Sequence, residues 1–448
     1  VSLVACGGTT SAPAGSTPAG STASGSTVSG NAGGSAAAPL KIGGIGPLTG
    51  GAAIYGVAVK QGAELAVEEI NALGGMQFEL NFQDDEHDPE KSVNAYNALK
   101  DWGMQVLLGT VTTGPCLAVA SEAEADNMFL LTPSASAVDV VKGENQFQVC
   151  FTDPNQGVGS ADYIADNKLA TKVAAIYDAS DAYSSGIYAK FAEEAAAKGL
   201  EVVSAESFTA DSKTDFSVQV QKAKAAGAEL MFLPIYYNEA NLIIQEMKKQ
   251  GYDAAVFGCD GLDGLLTIKG ADTSLFEGVM LLTPFAADAQ DDMTKNFVAK
   301  YEEKYGETPN QFAADAYDGV YIIKAAMEQA AANTSMSASE LCDLLKPAMT
   351  AISVDGLTGD GMTWAASGEV SKAPRAVKIS VVALSLKKNA EMPGGLPPKG
   401  GGPLFDTQNH KKLVCALEQC YNNTYILREA VCATGGRGPA AALKKGSI

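Results

Sequence analysis

Two histidines in 448 residues leave most acid–base chemistry in this chain to carboxylates. The densest acidic run is Asp84-Asp85-Glu86-His87-Asp88. It lacks the ligand spacing and the glycine of an EF-hand calcium loop, so a solvated turn after a strand is expected. Gly43-Gly44-Ile45-Gly46-Pro47 follows an apolar run, where a phosphate loop would lie. Its glycines miss the GxGxxG spacing, and Pro47 removes a backbone N–H that a phosphate would use. No GxSxG, HExxH or GxxxxGK[ST] motif occurs. Of eight cysteines, Cys116, Cys150, Cys259 and Cys342 are widely separated, Cys415, Cys420 and Cys432 fall near the end, and none forms a CxxC pair. Neither a zinc site nor a disulfide framework is expected. With no nucleophile, base or metal assembled, the residues point away from an enzyme and toward binding without a cofactor.

The elements that would position a binding site alternate along the chain. Strand candidates are 40–45, 78–82, 106–108, 129–131, 173–177, 202–203, 230–234, 256–257 and 279–282. Amphipathic stretches fill the gaps. In the first, Val59, Ala63, Val67, Ile70 and Leu73 recur at helical spacing before Gly74-Gly75. Asp88-Pro89 reads as an N-cap and first-turn proline. Strands alternating with helices predict α/β architecture with parallel sheets covered on both faces. Two doubly wound sheets of four or five strands fit better than one of nine, with a seam near Asp153-Pro154-Asn155 after a strand at 146–151. From Asp288 onward helices dominate (291–305, 310–332, 339–352), followed by a hairpin-like stretch over 362–379. The division expected is 40–153 with 286–335 in lobe 1 and 154–285 with 336–379 in lobe 2. Such lobes would be joined by several hinge crossings around a cleft.

A net charge of −20 argues against nucleic acid as a partner. The charge is uneven: residues 380–448 carry nine Lys/Arg and four Asp/Glu, a net of +5, against −25 for the rest. This tail opens with the linker-like EMPGGLPPKGGGP (Glu391–Pro403). It is either a small appended module or miscalled coding sequence, and its composition favours the second. No apolar run is long enough to span a membrane. At the other end, Leu3-Val4-Ala5-Cys6 precedes a Gly/Ser/Thr/Ala/Pro-rich run. Residues 7–39 contain no Leu, Ile, Phe, Tyr or charged residue, so a flexible tether is expected. The pairing resembles the lipobox of a bacterial lipoprotein, which implies a lipid on Cys6 and an extracytoplasmic body anchored at the membrane.

KIGGIGPLTGGAAIYGVAVKQGAELAVEEINALGG (Lys41–Gly75) closely resembles the opening of the leucine/isoleucine/valine-binding proteins. LLGTVTTGPC (Leu107–Cys116), LLTPSASAVDVV (Leu130–Val141), IYDASDAYSSG (Ile176–Gly186), TDFSVQVQKAKAAGAELMFLPIYYNEA (Thr214–Ala240) and FGCDGLDG (Phe257–Gly264) follow in the family's order. The resemblance covers about residues 40–379. It implies a type I periplasmic-binding fold, a monomer that closes on a branched-chain amino acid and delivers it to ABC permease subunits. Receptors of the same fold for other amino acids, amides or urea, and sensory ligand-binding proteins, share these features.

The resemblance also implies a site. Thr113 lies at the carboxylate-binding serine position, beside Thr112 and ahead of Pro115. Ser136 matches a threonine that the family uses on both its backbone and its hydroxyl. Asp260 falls where the family places an acidic residue for the ligand's ammonium, and Tyr183 and Tyr236 match second-lobe aromatics, with Tyr237 as the alternative to Tyr236. Tyr55, Val111, Ala135 and Phe312 match an apolar wall. Where branched-chain receptors often carry Leu-Cys, this chain has Val111-Thr112, which makes that wall more polar.

Overall fold

The computed structural model describes residues 38–381 and a strand at 426–430. The Cys6 anchor, the tether up to residue 37 and most of the tail lie outside the described residues.

The first sheet is built from β1 (Leu40–Gly46), β2 (Phe78–Asp84), β3 (Val106–Gly109), β4 (Leu130–Thr132) and β5 (Gln146–Gln148). Its order is β2-β1-β3-β4-β5, and every pairing is parallel. Between these strands run α1 (Ala53–Leu73), α2 (Pro89–Trp102) and α3 (Thr113–Ala125). α1 buries Tyr55, Val59, Ala63 and Ile70 at helical spacing. α2 starts where the Asp88 side chain accepts from Lys91 N, and ends at Gly103 in the left-handed region (φ 90°).

The chain crosses after β5 into α4 (Asp153–Asp166), β6 (Lys172–Asp178), α5 (Ala182–Lys198), β7 (Glu201–Phe208), α6 (Ser217–Ala225), β8 (Leu230–Leu233), α7 (Tyr237–Lys249), β9 (Ala255–Gly258) and β10 (Met280–Thr283). It then returns to the first lobe as α8 (Asp292–Tyr305), α9 (Gln311–Gln329) and α10 (Ala338–Met349), and crosses again into β11 (Arg375–Val381). Strand β12 (Ile426–Ala430) completes the second sheet, ordered β12-β11-β10-β9-β8-β6-β7, with β11 antiparallel to both neighbours and the remaining pairs parallel. Three crossings therefore join two doubly wound lobes. Close packing holds α9 on α1: a Cβ at Gly62 would stand 2.0 Å from Ala313 O.

The structure corrects the chain division after residue 335. α10 packs on the first lobe, against α9 and β3. Gln105 Nε2 donates to Thr334 O and Met336 O, and Asn127 Nδ2 donates to Ser339 Oγ and Asp343 Oδ1. Residues 353–372 follow it: Asp318 on α9 accepts from Leu357 N and Thr358 N, and Trp364 Nε1 donates to Gln148 O. An apolar helical pattern does not say which sheet it will cover. The expected hairpin over 362–379 is also divided. Trp364 and Val370 form a bridge on the first lobe, while β11 leaves for the second sheet.

Candidate functional site

In an open α/β sheet, ligands bind beyond the carboxyl ends of the strands, where the strand order reverses. Both sheets turn that edge toward one cleft. From the first lobe come Tyr55 on α1, Val111, Thr112 and Thr113 after β3, Ser134 after β4 and Phe312 on α9. From the second come Tyr183 on α5, Tyr236 after β8, and Asp260 and Gly261 after β9. These ten residues line one cavity of about 240 Å3, a volume that includes space open to solvent.

At the second-lobe pole, Asp260 is 4% exposed. Its Oδ1 accepts from Tyr183 Oη at 2.6 Å, its N–H donates to Gln156 Oε1 and its carbonyl accepts from Gln311 Nε2. Burial pushes the Asp260 carboxyl up to about 7, against the opposing hydrogen bond from the Tyr183 hydroxyl. No ion pair of the described residues includes it. At the first-lobe pole, α3 starts at Thr113. Its first-turn amides lie outside the helical ladder and its dipole is positive there. The site therefore has an acidic pole and a donor pole on opposite walls.

Aromatic rings fill the space between. Tyr236 stacks on Tyr183 (centroids 5.0 Å, 11°) and meets Tyr55 and His87 edge-on at 5.5 Å. Tyr55 packs on Phe312 at 4.4 Å. Tyr55 Oη donates to Gly261 O (2.5 Å) and accepts from Tyr237 N (3.1 Å), which ties the lobes together. Gly261 must be glycine here, because a Cβ would meet Ile235 O at 2.6 Å and Tyr183 Oη at 2.7 Å.

Eight of the expected residues converge on this cavity: Tyr55, Val111, Thr112, Thr113, Tyr183, Tyr236, Asp260 and Phe312. Tyr236 rather than Tyr237 faces it. Two expected residues do not. Ala135 is fully buried in the first-lobe core with Val119 and Val140, and its neighbour Ser134 lines the cavity instead. The side-chain directions in this loop are one residue out of step with the expected wall. Ser136 is also fully buried and absent from the lining, and its Oγ has no hydrogen-bond partner.

His87 was not anticipated. Its Nδ1 lies 2.8 Å from Thr112 Oγ1 and its ring touches Tyr236, so the Thr112 hydroxyl is not free to cap α3. Burial, then the charge of Lys213, lowers the His87 pKa. The acidic run around it serves the turn: Asp84 accepts from Leu48 N and Thr49 Oγ1, Asp85 from His87 N, and Asp88 from Lys91 N. A signal existed in the position of this run at the end of β2, the same edge that carries the site.

A sequence profile of the periplasmic binding proteins matches residues 39–382. The chain is 34% identical over 350 residues to Leu/Ile/Val-binding protein homolog 3 of Brucella melitensis, spanning 75% of this chain and 90% of that one. It is 28% identical over 301 residues to a leucine-, isoleucine-, valine-, threonine- and alanine-binding protein of Pseudomonas aeruginosa, covering 66% and 79% of the two chains. The fold matches that of the branched-chain amino acid transporter substrate binding protein LivJ from Streptococcus pneumoniae, solved in complex with isoleucine, with a TM-score of 0.69 and 27% identity over 77% of this chain and 96% of that one. With this coverage, and with two lobes offering opposite poles across one cleft, the chain belongs to the Leu/Ile/Val-binding branch of the periplasmic binding protein family.

Proposed function

We propose that this chain is an extracytoplasmic receptor that captures a branched-chain amino acid and presents it to an ABC importer. One observation carries the reading: a buried Asp260, in no ion pair among the described residues, faces the N-terminus of α3 across a largely aromatic and aliphatic cavity. A zwitterion supplies the missing cation to one pole and a carboxylate to the other. Tyr55, Val111 and Phe312 take the aliphatic side chain, whose burial contributes roughly 2–3 kcal/mol. Micromolar affinity needs about 8 kcal/mol, so the charged ends supply most of it. Closure brings the poles together, and the permease would recognise the closed form. No covalent step is required of any residue, and the receptor role is not enzymatic.

A second reading rests on the Thr112–His87 pair. Its polarity beside the cavity suits a small hydroxylated amino acid such as threonine, and the Pseudomonas relative's name includes threonine and alanine beside leucine, isoleucine and valine. Calorimetry against the twenty amino acids, urea and short amides separates these readings. Tight binding of Leu, Ile or Val is expected. Failure of all three with tight binding of another solute would overturn the branched-chain assignment. Anchoring through lipid on Cys6 and a monomeric state complete the proposal. Palmitate labelling of wild type but not of Cys6→Ala would support the anchor, and equal labelling would remove it.

A further inference from the structure

Behind Asp260 lies a group of buried polar atoms with no hydrogen-bond partner among the described residues. Asp153 is 2% exposed, and neither carboxylate oxygen accepts a hydrogen bond. Ser136 and Gln156 are fully buried, and Ser136 Oγ and Gln156 Nε2 are likewise unpartnered. Buried polar atoms without partners are uncommon and costly, so three residues of this kind together need an explanation. Their placement supplies one. Asp153 opens α4 at the first crossing between the lobes, and its N–H donates to Ser136 O at 2.9 Å. The Ser136 hydroxyl faces the carboxylate without reaching hydrogen-bond geometry. Gln156, one turn along α4, already holds the Asp260 amide through Oε1. The Asp153 carboxylate lies within electrostatic reach of both Asp260 and the Tyr236 hydroxyl.

We propose that Asp153 is a second carboxylate of the ammonium subsite, acting with Asp260 on the positive end of the bound amino acid. The inference rests on the amino-acid reading above and narrows it: the ligand carries a free primary ammonium, and simple or N-acylated carboxylates are excluded. A plainer role for Asp153 is support of the α4 dipole, which favours an acid in the first turn. That role needs no burial, and Thr152 already takes the Asn155 N–H as N-cap. Nor is Asp153 half of a protein ion pair, since the buried pair of the described residues is Lys372 with Asp315. Burial, with the charges of Asp260 and Asp181, holds its carboxyl well above its ordinary range. A cation arriving between the lobes would remove that penalty for both acids at once.

The test is calorimetry and thermal melting of the full chain with L-leucine and with 4-methylpentanoate, which keeps the side chain and carboxylate but lacks the ammonium. Wild type should prefer L-leucine by at least a hundredfold. Asp153→Asn should bind L-leucine at least tenfold more weakly and Ser136→Ala at least threefold. The melting temperature of Asp153→Asn without ligand should not fall, because an unpaired buried acid has been removed. A merely structural Asp153 would show the reverse, a lower melting temperature with affinity intact, and that result overturns the inference alone. If Asp153→Asn does not fold, Ser136→Ala decides, and wild-type affinity there overturns it. Wild type that binds 4-methylpentanoate but not L-leucine removes the amino-acid reading and this inference with it.

Discussion

Replacing Asp260 with asparagine is the most informative perturbation of the proposed site. The side chain keeps its shape, and its amide oxygen keeps the Tyr183 hydroxyl at 2.6 Å. Only the charge is lost. A unit charge about 4 Å from an ammonium is worth roughly 4 kcal/mol at the effective dielectric of a protein. Removing one partner of a buried charge pair costs about 2–5 kcal/mol in measured cases. Affinity for L-leucine should therefore fall by about 30- to 5,000-fold in Asp260→Asn, most of it in the dissociation rate. The pH dependence gives a second readout. Burial raises the Asp260 carboxyl from its ordinary 3.8 to about 7. The folded protein thus binds a proton that the unfolded chain releases near 3.8. The contribution to stability is full below that value and is lost as pH rises toward and through 7. Ligand binding runs the other way, because the ammonium requires the ionised carboxylate. Wild-type affinity should be level above about pH 7 and fall below it, and Asp260→Asn should show a shallower slope, with Asp153 still able to titrate. Titrations by calorimetry from pH 5 to 8 check both. Equal affinities, or the same slope in the variant, would refute the assignment of Asp260 to the ammonium.

Three further outcomes follow from the geometry. Tyr55→Phe removes the hydroxyl that joins Gly261 O and Tyr237 N across the cleft. Two hydrogen bonds at about 0.5–1.5 kcal/mol each predict a roughly 5- to 150-fold faster ligand release by stopped-flow fluorescence. Gly261→Ala drives a methyl against Ile235 O and Tyr183 Oη, so leucine binding should weaken more than about tenfold through displacement of Tyr183. Lys372→Ala leaves Asp315 buried and unpaired, where Lys372 Nζ now lies 2.9 Å from its carboxylate with both side chains almost fully buried. A loss of about 3–5 kcal/mol is expected, seen as a lower denaturation midpoint in urea; an unchanged midpoint would refute the pairing.

Much of this was legible in the residues because the signals were local. Asp88-Pro89 opens α2, and the spacing of Val59, Ala63 and Ile70 marks the buried face of α1. The pairing of strands into two sheets followed from alternation, and eight of ten expected site residues share one cavity. What was missed depended on direction and on distance along the chain. Ala135 and Ser134 differ by one residue, and only the turn after β4 decides which faces the cleft. His87 belongs to a turn whose composition reads as solvated, and its contacts with Thr112 and Tyr236 span 25 and 149 positions. α10 has a strong apolar face but no mark of the sheet it covers. That choice is made by Asn127 and Gln105, more than two hundred residues earlier.

The charges in the cleft also explain why closure should wait for ligand. Bringing the lobes together gains the Tyr55 hydrogen bonds and the contacts among Tyr55, Tyr236 and Tyr237. It also buries Asp260, whose carboxyl must then either hold a proton or remain ionised with no cation of the described residues paired to it. A rise from 3.8 to about 7 corresponds to roughly 4 kcal/mol against the ionised form. That is comparable with the gain expected from a few hydrogen bonds and ring contacts, so neither form wins by a wide margin without ligand. A ligand can shift such a balance only by its differential affinity, and about 5.5 kcal/mol moves it from one extreme to the other. An ammonium that meets Asp260 only when the lobes meet provides a difference of this size. An aliphatic side chain alone, at roughly 2–3 kcal/mol, does not. The acid that makes closing costly is therefore also the group that makes closing report the presence of an amino acid.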